Sequence, residues 1–179
     1  LFAGEALADR EAAPACSYRT AMAERLAPVA LFLLSQVLRL RGGGELDGPG
    51  LAKSAELLLA LQREDRQALL YALACLHDQP AVIAHGIAVA SRLLDLGRAL
   101  GQPPQTLKAV AAAALIHDLG KMLLPASLLE ARALDAGQRR ALHAHVRLIR
   151  EPAGQLDWIP SKILDAVIEG CNERLDGSG

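Results

Sequence analysis

The stretch Ala109-Val-Ala-Ala-Ala-Ala-Leu-Ile116 is apolar without a break, and it runs straight into His117-Asp118. A helix that is apolar on every side has to be surrounded by protein. A surface helix or a simple hairpin cannot satisfy it; a bundle with neighbours all round can. The imidazole and carboxylate at its end are costly to bury alone. A hydrogen-bond partner, a cation or a metal ion has to meet them.

The rest of the chain suits a helical bundle. Strand signals are nearly absent, since β-branched clusters and alternating runs are scarce. Helical spacing recurs almost throughout. Residues 1–18 are Ala-rich and weakly patterned, and read as a loose arm. Helices are expected over about 18–40, 51–61, 65–76 and 82–100. A further helix opens at Pro103-Pro104 and carries His117 near its end, where Gly120 is placed to stop it. Two more follow, over 136–150 with Asp135 as N-cap, and over 161–172. The expected fold is all-α, a multi-helix bundle with an N-terminal helical lead-in. Residues 1–77 are assigned to the arm and lead-in, and 78–179 to the main domain.

Composition excludes little but guides the choice. A formal net charge of −1 in 179 residues gives nucleic acid or an anionic membrane surface no footing. Three widely spaced cysteines, Cys16, Cys75 and Cys171, are no disulfide framework, so a reducing, cytoplasmic setting is expected. The apolar run 26–34 is too short to span a bilayer, so no membrane segment is expected. No basic leader suggests a signal peptide. A start at Leu1 and a stop at Gly179 read as a piece of a longer protein.

Spacing at 100° per residue sorts the polar residues. On the 136–150 helix, Leu142, His145, Val146 and Ile149 share one face, while His143 falls with Arg139, Arg140, Arg147 and Arg150 on the other. His145 is thus expected inside and His143 outside. On the last helix, Leu164, Val167, Ile168 and Cys171 form a stripe, which turns Cys171 inward. The first half of the 82–100 helix is apolar nearly all round, so His85 is expected to be buried. Four helices then each offer inward metal-capable groups: His85, His117 with Asp118, His145, and Cys171. First-row divalent ions take such donors, and a carboxylate can bridge two of them. The alternative is a set of hydrogen-bonded core histidines with a packed thiol. Lys121 is either a solvated lysine at a helix end or a cation facing an anionic substrate. His77-Asp78, at a helix end before Pro80, reads as a decoy.

Ala84-His85-Gly86, Leu115-Ile-His-Asp-Leu-Gly-Lys-Met122, Pro125, His145 and Asn172-Glu-Arg-Leu-Asp-Gly-Ser-Gly179 together resemble the HD-GYP subgroup of the HD superfamily. These are bacterial, metal-dependent phosphodiesterases that act on cyclic di-GMP. The resemblance implies that His85, His117, Asp118 and His145 are metal ligands for one or two ions of iron or manganese, with Asp118 as the bridging carboxylate where there are two. It implies that Lys121 contacts substrate phosphate and that Arg174 lies close to the site. It implies a cyclic dinucleotide as ligand, and it allows a diguanylate-cyclase-type partner and a homodimer. Cys171-Asn172 stand where the subgroup has His-His. Ala81 stands where members with a third ion carry a carboxylate. The subgroup's glycine is followed by Tyr and Pro, which are missing here, and its further Asp ligand is expected beyond that loop. A degenerate regulator that binds nucleotide or a partner without hydrolysis, with no metal, is the alternative.

Overall fold

The computed structural model describes residues 5–129 and 133–173, with side chains from residue 20 onward. Every regular element among them is helical. In chain order these are α1 (Glu5–Arg41), α2 (Gly48–Glu64), α3 (Arg66–Ala74), α4 (Ala81–Ala99), α5 (Pro104–Ile116), α6 (Ala126–Leu129), α7 (Ala136–His143), α8 (His145–Ala153) and α9 (Ser161–Val167). Short 3-10 turns follow α3, α5 and α9, over Cys75–Asp78, Leu119–Leu123 and Glu169–Asn172.

The all-apolar segment lies at the centre, as its composition requires. From Ala111 to Ile116 every side chain of α5 is buried. α4 packs along it, with α2 and α9 on other sides. The run of alanines makes this crowding feasible, because short side chains let neighbouring backbones come close. Gly86 extends that logic from the α4 side: a Cβ there would sit 2.9 Å from the Leu115 carbonyl oxygen. Each buried Leu or Ile removes enough apolar surface to contribute about 1.5–3 kcal/mol. One cluster of buried side chains runs from Met22 to Ile168, on both sides of position 77.

Local signals account for several helix ends. Asp47 caps α2 and Asp65 caps α3, each accepting from a backbone N–H three residues on. Asp135 and Gln138 form a reciprocal capping box at α7.

Four expectations need correction. α1 begins at Glu5 rather than near residue 18, because the Ala-rich arm has high helix propensity. Its segment Thr20–Arg41 is long and apolar enough to cross a membrane, unlike the short run 26–34. Here Met22, Leu26, Val29, Leu33 and Val37 of that segment are buried in the core, which accounts for its apolar stripe. The expected 136–150 helix is two helices that break at Ala144. The last helix ends at Val167, so Cys171 and Asn172 lie in the 3-10 turn after it.

Candidate metal centre

α5 ends at His117, and the chain turns at once into the 3-10 segment Leu119–Leu123. This brings His117 and Asp118 to the rim of the core while keeping both buried, at 4% and 5% exposure. The turn is held from outside by Arg41, which donates to the Met122 carbonyl at 2.6 Å. α8 is laid against it at very short range. A Cβ on Gly120 would lie 2.1 Å from the His145 carbonyl oxygen and 2.9 Å from its carbon. Only a residue without a side chain admits that approach, and the approach carries His145 to Asp118.

Three imidazole nitrogens converge on one carboxylate. His145 Nε2 lies 3.3 Å from Asp118 Oδ1. His117 Nε2 lies 3.6 Å and His85 Nε2 3.7 Å from Oδ2. Donors around a small divalent ion at 2.0–2.1 Å stand about 3.4 Å apart by tetrahedral geometry, so these separations suit a shared ion. Lys121 Nζ lies 2.6 Å from Oδ2. Cys171 completes a second group: its sulfur, a His145 nitrogen and an Asp118 oxygen all lie within 4.8 Å of one another. His85, His117 and Asp118 form the first group by the same measure.

The donor set fits a metal ion on two observations. His117 Nδ1 donates to the Ala114 carbonyl at 2.7 Å, and His145 Nδ1 donates to the Leu142 carbonyl at 2.6 Å. Such bonds to the far nitrogen fix the ring and leave the Nε2 lone pair for a ligand. In addition, His145 Nε2 is buried without an aligned hydrogen-bond partner among the described residues. A bound cation would take the place of the proton that this nitrogen turns to Asp118 Oδ1 at 3.3 Å.

Electrostatics follow from the packing. Burial pushes the His117 imidazole down and outweighs the pull of Asp118, so it is neutral and ready to ligate. Burial raises the Asp118 carboxyl, but His145 and Lys121 outweigh this and hold it far below the usual range. Burial also lowers His145, yet Asp118, Cys171 and the Leu142 carbonyl raise it to about 9. Without a metal, Asp118 is a carboxylate shared by cations.

The sequence-based site residues separate accordingly. His117, Asp118 and His145 are buried together, and His143 is exposed on the solvent side. His85 is not buried as expected: its side chain is 54% exposed, although its Nε2 reaches Asp118. The α4 residues that face the core are Ile83, Gly86, Ile87 and Ala90, and His85 lies beside that face with its ring 5.4 Å from that of His117. Cys171 is exposed rather than inward-facing, because α9 stops short of it, while its sulfur still reaches the site. His77 and Asp78 are exposed and pair with each other at 3.5 Å, away from the cluster. Arg174 lies outside the described residues, as does the motif from 175 to 179.

Two contributors escaped the sequence reading. Gly120 acts through close approach, not only as a helix stop. Arg150 is not a solvated arginine: it pairs with Asp165 at 2.7 Å and with Glu169 at 3.2 Å. A groove of about 600 Å3 opens beside the cluster. His85, His117 and Cys171 line it, with apolar walls that include Val89, Leu93 and Val167. It continues to Leu100, the residue that caps the end of α4, about 22 Å along that helix from His85 at 1.5 Å per residue.

The HD domain family model matches residues 82–176, more than half of the chain. No curated protein and no solved structure matches it.

Proposed function

Because the chain belongs to the HD domain family, we propose that it is a metal-dependent phosphohydrolase of the HD-GYP kind, cleaving the phosphodiester of cyclic di-GMP in a bacterial, cytoplasmic signalling protein. One observation carries the reading: three imidazole Nε2 atoms aim at the two oxygens of a single buried carboxylate. The terminal Asn172-Glu-Arg-Leu-Asp-Gly-Ser-Gly179 segment supports the subgroup and hence the substrate.

One or two divalent ions of iron or manganese, when bound, would supply a water of lowered pKa and neutralise charge on phosphoryl oxygens. His85, His117, Asp118, His145 and Cys171 are the residues that would hold them. Asp118 offers one oxygen to each donor group, which suits a bridging role. The Ala114 and Leu142 carbonyls keep His117 and His145 in the ligating tautomer. Lys121 stands beside Asp118 and is the cation that would turn to a substrate phosphate. Arg174, two residues beyond Asn172, is assigned to the same substrate. The apolar walls of the groove suit the faces of a nucleobase, and His85 stands on its open side. Purified protein loaded with manganese or ferrous iron should convert cyclic di-GMP to a linear product, and Asp118→Ala should abolish this. Absence of both bound metal and turnover in the full-length protein refutes the proposal.

A second reading has its own observation. The Lys121 ammonium already sits on Asp118 Oδ2, the place of a cation. A degenerate regulator would keep that pair, and would bind the nucleotide or a diguanylate-cyclase-type partner without cleavage. Calorimetry separates the two: tight nucleotide binding without product favours the regulator.

A further inference from the structure

Asp118 presents its two oxygens to unlike neighbours. Oδ2 faces the imidazole nitrogens of His85 and His117, with the Lys121 ammonium also on it. Oδ1 faces His145, and the Cys171 sulfur groups with His145 and an Asp118 oxygen, all within 4.8 Å of one another. We infer that the two ion positions around Asp118 are chemically unequal: the His145–Cys171 position binds a thiophilic ion such as zinc, ferrous iron or cobalt in preference to manganese or magnesium. The inference rests on the metal centre of the proposed function and goes beyond it in assigning the selectivity to this chain's own cysteine.

The chemistry is that of donor softness. A thiolate favours zinc, iron and cobalt, whereas carboxylate and water suit manganese and magnesium. The His145 nitrogen points at this position from a side chain 2% exposed, and it has no aligned partner among the described residues. Cys171 is on the accessible side, so its thiol proton passes to water when the sulfur ligates. The two donors come from different elements, yet they are clamped together. Arg150, five residues after His145, binds Asp165 of α9 and Glu169, two residues before Cys171. It also donates to Ser161 at 3.1 Å. One guanidinium thereby fixes α8 against the turn that carries the sulfur. Arg150 is a positioning residue for this site.

The test is spectroscopic and needs no turnover. The full chain, stripped of metal, is titrated anaerobically with cobalt(II). A near-ultraviolet thiolate-to-cobalt charge-transfer band should grow and level off at about one equivalent. Cys171→Ser and Cys171→Asp should both lose the band, while His85→Ala, which removes a donor from the other position, should keep it. Cys171→Asp, with oxygen in place of sulfur, should narrow the preference for zinc over manganese at least about tenfold. Arg150→Ala should weaken cobalt binding at this position roughly 10–100-fold, as loss of a ligand-orienting group does. Cobalt bound without the band, or a band that survives Cys171→Ser, overturns the inference. A band without cyclic di-GMP turnover leaves it standing and counts against the phosphodiesterase. Turnover without the band does the reverse. Failure to bind cobalt at all overturns both.

Discussion

Gly120→Ala is the substitution that the structure makes most informative. The new Cβ would lie 2.1 Å from the His145 carbonyl oxygen, 2.9 Å from its carbon and 3.1 Å from its Cα. All three are backbone atoms, so no rotamer change relieves the clash. Restoring an ordinary contact of about 3.4 Å needs a shift of roughly 1.3 Å in the first turn of α8. Overpacking of this kind costs about 1–3 kcal/mol, and the rigid obstacle places it near the upper end. For a chain of this length that lowers Tm by roughly 6–12 °C. The effect on metal is larger. Metal–ligand distances tolerate about 0.2 Å, so a shift several times that size removes His145 as a donor. Mere loss of a ligand-orienting contact costs about 10–100-fold in affinity; loss of the ligand should exceed it. Thermal melting in chelator isolates the packing cost, and competition with a chelating dye reads the affinity. Gly170→Ala is the control, because its Cβ would meet nothing nearer than the Asp165 carbonyl oxygen at 3.7 Å. A Gly120→Ala protein with parental Tm and parental metal affinity would refute the close-approach account.

Three further outcomes follow from the same geometry. His85→Ala should leave unfolding stability within about 0.5 kcal/mol of the parent, because the side chain is half exposed, yet lower metal content by elemental analysis. Gly86→Ala should destabilise the chain by about 1–3 kcal/mol in chemical denaturation, since the Leu115 carbonyl blocks the added methyl. The third outcome is a pH dependence. His145 is raised to about 9, so its pairing with Asp118 stabilises the metal-free chain fully below its unfolded pKa of about 6.5 and fades as pH climbs through 9. Asp118 is lowered, so its share is present above about 4 and fades as pH falls below that. Metal at the His145–Cys171 position must displace the His145 proton and the thiol proton of Cys171, so uptake there at pH 7.5 should release about two protons, as read by calorimetry in buffers of different ionisation enthalpy.

The sequence makes the centre of this fold legible and its edges less so. α5 can be read directly because an unbroken apolar run has few alternatives, and His117-Asp118 at its end cannot be left unpaired. The burial of His145 and the exposure of His143 follow from simple helical spacing. His85 misleads because alanines beside it, such as Ala84 and Ala88, count as apolar although they are only half-buried. The break at Ala144 carries no glycine or proline and gives no local sign. The roles of Gly120 and Arg150 arise between segments distant in sequence: a glycine's closest neighbour and an arginine's partners on α9 are tertiary facts. The HD domain family match agrees with the region where the legible residues cluster.

The central claim is tested most directly by anomalous diffraction from crystals of the chain loaded with manganese or iron, recorded at the metal's absorption edge. The account predicts a peak about 2.0–2.2 Å from an Asp118 oxygen and from the Nε2 of His117, with His85 or His145 in the same shell. A map with no peak there, and with Lys121 still paired to Asp118, would contradict it.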